Sequence, residues 1–75
     1  MNLKNELDKS QIELLESINI EIENKEYTID DTGKIIDLLD DAIHDHLDSK
    51  LNYTEKSIEF EKIQDKIIEL ENKIN

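Results

Sequence analysis

Aliphatic residues fall into helical register from Thr28 to Leu47 (TIDDTGKIIDLLDDAIHDHL). Ile35, Ile36, Leu39, Ala42, Ile43 and Leu47 recur there at intervals of three and four, and Leu38 widens the stripe. Asp37, Asp40, Asp41, Asp45 and Asp48 fall on the other side, so the stretch predicts one amphipathic helix with an aspartate face. Thr28 and Asp31 have capping-box spacing, Tyr27 stands where a hydrophobic staple would, and Asp30 and Asp31 suit the positive end of the helix dipole. Gly33 costs about 1 kcal/mol relative to Ala inside a helix. It marks either a later start, with Thr32 as the cap, or a close contact with a neighbour. A break over Ser49–Tyr53 has the length of a helix–helix connection, and Thr54 caps again with Tyr53 as a second staple. The helix that follows, about Glu55 to Lys73, places Phe60, Ile63, Ile67, Leu70 and Ile74 three and four apart, an a/d heptad seam that Ile68 broadens.

The front of the chain is less regular. Met1–Lys9 is a polar lead-in with Leu3 and Leu7 four apart, either a loose helical turn or a disordered tail, and is expected to fray. Ser10 and Glu13 have capping-box spacing, and Ile12, Leu14, Leu15 and Ile18 line a short helix over about Gln11–Ile18. From Ile18 to Glu23 the period changes to two, which predicts an extended strap tucking Ile18, Ile20 and Ile22 inward, with a helix continuing to Glu23 as the competing form. Asn24-Lys25-Glu26 is a polar turn. The sum is an all-α fold: a single domain over residues 1–75, built as a small three-helix bundle with a short first helix, an Ile-rich connecting strap and a long αα-hairpin.

Composition sharpens this picture. A 75-residue chain buries only about 60% of the surface its unfolded form exposes, which leaves a thin stability margin. Without cysteine there is no disulfide to supplement it. The five-residue seam from Phe60 to Ile74 therefore either packs on the central helix or pairs with a second copy in a homodimer. High charge and few aromatic residues favour disorder, but the 13 isoleucines lie in helical register, and a folded chain is expected.

Twenty acidic residues against nine lysines, with no arginine, give a net charge of −11. That balance repels a nucleic-acid backbone and an anionic membrane surface. It leaves basic proteins, cations or another copy of the chain as partners. The first ten residues (MNLKNELDKS) do not read as a secretory signal, no run is apolar enough for a membrane span, and a cytoplasmic location is expected. The charge is concentrated: residues 26–49 carry eight acids and one lysine, whereas residues 50–75 carry six and five.

One cluster invites a test for chemistry. On a continuous helix Asp40, His44 and Asp48 would stack at i, i+4 and i+8, and an imidazole between carboxylates suits a weakly held divalent cation. His44 and His46, two residues apart, point about 200° away from each other and cannot grip one ion, so His46 is assigned to the core boundary. Asp30-Asp31-Thr32-Gly33 lacks the alternating ligands of an EF-hand, a single glycine rules out a phosphate-cradling loop, and no serine is paired with a histidine in a recognisable motif. No cofactor and no enzymatic activity are expected.

The run Leu14–Thr28 (LLESINIEIENKEYT) resembles stretches in small acidic uncharacterised helical proteins of AT-rich Firmicutes and their mobile elements, over about a fifth of the chain. The abundance of Ile, Lys and Asn, with no Arg or Pro, fits such a genome. The resemblance implies no activity. The residues themselves point to a protein–protein interaction module using Asp37, Asp40, Asp41, His44, Asp45 and Asp48. The alternatives are an inhibitor of phage or plasmid type that mimics nucleic acid toward a basic target, weak cation binding at His44, and a self-assembling structural module.

Overall fold

Among the described residues four α-helices follow one another: α1 (Leu3–Glu6), α2 (Lys9–Glu16), α3 (Ile29–Asp45) and α4 (Glu55–Ile74). The computed structural model describes residues 1–74, the last of these by its backbone alone, and contains no strand among them. The all-α class holds, with one helix more than the predicted three. Of the two forms open to the lead-in, the helical turn is the one present: Leu3–Glu6 form α1, capped by the Asn2 side chain accepting from the Lys4 amide at 3.1 Å. A single turn followed by an extended residue carries Leu3 and Leu7 to the same side, where both are buried. In so small a chain that apolar area outweighs the entropy of ordering a few residues. The Tyr27 amide donates to the Met1 carbonyl at 2.6 Å, and Asn2 Nδ2 donates to Asn24 Oδ1 at 2.9 Å, pinning this end onto the strap.

Helix α2 starts earlier than predicted. Asp8, not Ser10, is its N-cap, and Gln11 Oε1 accepts from the Asp8 amide at 2.9 Å. The helix closes through Asn19, whose φ of 65° is left-handed, while the Ile20 amide reaches back to the Leu15 carbonyl at 2.9 Å. This is a Schellman-type exit, and the buried pair Leu15 and Ile20 accompanies it. The alternation at Ile18-Asn19-Ile20 is therefore a helix terminus, and the strap proper begins at Ile20. Ile20 and Ile22 are buried, and Ile18 only partly. The buried Tyr27 closes the strap by accepting a hydrogen bond from the Glu23 amide at its phenol oxygen, 2.9 Å away.

The predicted box at the start of α3 is present: Thr28 Oγ1 accepts from the Asp31 amide at 3.2 Å, and Asp31 Oδ2 accepts from the Thr28 amide at 3.1 Å. Neither reading of Gly33 survives. Thr32 is not a cap but a buried residue whose hydroxyl donates to the Ile29 carbonyl, and a Cβ placed on Gly33 would meet no neighbouring atom within 4 Å.

Helices α3 and α4 pack as the expected antiparallel hairpin. Ile35, Leu39, Ala42 and Ile43 of α3 and Phe60, Ile63, Ile67 and Leu70 of α4 are buried together in one core. The seam offered as a homodimer contact is thus used inside the chain at these four positions; the Ile74 side chain lies outside the described residues. Leu38 and Ile68, read as widening the two stripes, are 51% and 40% exposed. Tyr53, read as a second staple, is exposed as well.

The joint between the two helices is built from short polar side chains. Thr54 Oγ1 donates to the His46 carbonyl at 2.6 Å and accepts from the Ser57 amide at 3.3 Å. Buried Ser57 Oγ accepts from the Thr54 amide at 2.7 Å. The end of α3 is thereby tied to the start of α4.

Candidate functional site: an acidic groove between α3 and α4

The core stripe of α3 turns Asp37, Asp40, Asp41, His44 and Asp45 outward, and all five are exposed. Helix α4 adds to that face. An open groove of about 470 Å³ runs between the helices, lined by Asp40, Asp41 and His44 on one side, Glu61, Gln64 and Asp65 on the other, and Tyr53 at the loop end. Gln64 sets its register. The Nε2 amide donates to the Ile36 carbonyl at 3.1 Å and to Asp40 Oδ1 at 2.6 Å, clamping α4 to α3 and fixing one carboxylate at the groove.

No lysine lines the groove. Among the described residues the ion pairs are the Met1 ammonium with Glu26 and Lys25 with Glu23, neither of them in the groove. No described ion pair engages the groove carboxylates, and an excess of negative charge there raises the local concentration of cationic groups. On α4, Glu61 and Asp65 are four apart and share a side, whereas Lys62 and Lys66 are rotated about 100° from them toward the other flank.

Asp48 departs from its expected place. The helix ends at Asp45, so the stack of Asp40, His44 and Asp48 does not form. Instead Asp48 Oδ1 accepts from the amides of Lys50 and Asn52, each at 2.9 Å, and holds the turn that leads toward α4. No group of three or more ligating side chains comes together among the described residues. His46 caps α3 at the core boundary. Its Nδ1 lies 2.8 Å from the Ala42 carbonyl, which makes that nitrogen a donor, and its ring is tilted against Phe60 at 5.2 Å.

Glu61, Gln64, Asp65 and Tyr53 are the groove residues that sequence reasoning missed. Separating the i, i+4 acid pair on α4 from its adjacent lysines on a helical wheel was the available signal. Comparison with protein-family models, curated proteins and solved structures gives no match.

Proposed function

We propose that this chain is a protein–protein interaction module whose acidic α3–α4 face engages a positively charged protein surface. The observation that carries the reading is the convergence of Asp40, Asp41, Glu61 and Asp65 on one groove without a lysine. Fixed carboxylates on two clamped helices speed encounter with a basic partner and select against acidic ones. We read the role as non-catalytic, in keeping with an open groove and with the Ser57 hydroxyl engaged with Thr54 and His46 with the Ala42 carbonyl. No described helix is long and apolar enough to cross a membrane, and an intracellular partner in the cytoplasm suits the reading.

The test compares the full chain with a variant carrying Asp37→Asn, Asp41→Asn, Glu61→Gln and Asp65→Asn in chemical cross-linking from a cell extract at low and high salt. A basic protein captured by the parent at low salt, and lost both on neutralisation and at high salt, is the expected result. An identical set of captured proteins for parent and variant would overturn the reading.

A further inference from the structure

On the other flank of α3 lies a notch of about 190 Å³, floored by Ile18, Ile20 and Ala42, bounded by Leu38 and His46 and rimmed by Asp41 and Asp45. It is smaller than the roughly 300 Å³ at which small-molecule pockets begin and suits a single side chain. Leu38 is 51% exposed in a helix whose other aliphatic residues, Ile29 at its first turn aside, are buried or partly buried. Asp41 lines both this notch and the acidic groove, so the apolar notch and the charged face are continuous. Asp41 and Asp45 follow Leu38 by three and seven residues and so share its side of the helix.

This pairing of chemistries selects the occupant. A second copy docked through this same patch about a twofold axis would bring one acidic rim up to another. A net charge of −11 opposes that approach, and it opposes an anionic lipid surface or a nucleic acid equally. What complements an aliphatic floor with a carboxylate rim is a helical segment presenting an aliphatic side chain with Lys or Arg one turn along the same face. We propose that the Leu38 notch receives such a side chain from a basic amphipathic helix of a protein partner, with Asp41 and Asp45 holding its cations. This rests on the acidic-face reading and adds the anchor to it.

The experiment uses the full chain, ¹⁵N-labelled, and two synthetic Lys/Ala helical peptides that differ only in a central Leu or Ala. The Leu peptide is expected to bind about tenfold more tightly. It should shift the amides of Ile18, Leu38 and Ala42, and Leu38→Ser should reduce its affinity to that of the Ala peptide. The peptide comparison is made on the unaltered chain and does not depend on how the variant folds. Equal affinities, with shifts at Asp40, Asp41, Glu61 and Asp65 and none at Ile18, would overturn the anchor and leave the acidic face standing. No shift on that face with either peptide at low salt would overturn both. Self-association abolished by Leu38→Ser would assign the notch to a second copy and overturn the proposal.

Discussion

Asp31 is the residue whose titration is set most directly by its neighbours. Its carboxyl is held below the usual aspartate value of 3.8, first by the hydrogen bond from the Thr28 amide, next by the Thr28 side chain, and in lesser part by the charges of Lys25 and Lys34. A carboxylate whose folded pKa lies below its unfolded one contributes stability that is fully present above the unfolded value and is lost as pH falls through the folded value. Asp31→Asn is therefore expected to lower the melting temperature at neutral pH, with the gap to the parent closing as pH falls below about 3.8. Circular-dichroism melts across that range check it, and a gap independent of pH would mean that the charge contributes nothing. This box was legible because it is local: a cap and its N3 partner are three residues apart whatever the fold. The same locality misled at α2, where Ser10–Glu13 and Asp8–Gln11 both satisfy the spacing. The outcome there turns on burial of Leu7 just before Asp8, which spacing does not encode. Asn19 was also readable in principle, since Asn tolerates the left-handed conformation better than most residues. The isoleucine alternation around it masked the signal.

Helix α3 runs through Gly33 without interruption although its sequence offers a break. Two of its properties combine: a capping box fixes the start four residues earlier, and the stripe from Ile35 to Ile43 holds the helix against α4. Packing of an amphipathic face generally outweighs one unfavourable propensity. Nothing stands within 4 Å of a Cβ at Gly33, and its φ is not left-handed, so the glycine serves neither a close approach nor a turn. Gly33→Ala is expected to stabilise the protein by about 0.5–1 kcal/mol, seen as a raised urea midpoint at unchanged slope. A lowered midpoint would place an unseen neighbour over that turn. Element existence was legible wherever hydrophobic period was strong, as in α3 and α4. Element flanks were not. Leu38 and Ile68 sit at the margins of their stripes, and whether a marginal position is buried depends on what packs beside it. The partner beside Leu38 is the α2 exit at Ile18–Ile20, which stops short and leaves the notch. Asp48 failed for a related reason, because the helix ended one turn before it and converted a presumed face residue into the organiser of the loop.

Across the whole molecule the charge is segregated as well as large. The acidity of α3 could be counted from the sequence. The contribution of Glu61 and Asp65 could not, because it depends on how α4 is rotated about its axis, and that rotation is set by burial of Phe60, Ile63 and Ile67 together with the Gln64 clamp. Four carboxylates then line one groove without an intervening lysine. Repulsion among exposed charges of this kind amounts to about 0.2–0.5 kcal/mol per close pair and is screened once the Debye length drops below their spacing, about 10 Å at 0.1 M salt and about 3 Å at 1 M. The melting temperature is therefore expected to rise with sodium chloride. The double variant Asp41→Asn, Asp65→Asn should melt higher than the parent at low salt by an amount that shrinks as salt is added. Differential scanning calorimetry on both proteins over one salt series separates the two effects, since a general Hofmeister stabilisation would move them in parallel and preserve the gap. A melting temperature that falls with salt would mean that lysines compensate the groove in solution, removing the excess charge on which a basic partner would act. A gap that closes would mean that the groove carries a repulsion that two conservative substitutions remove and that salt screens.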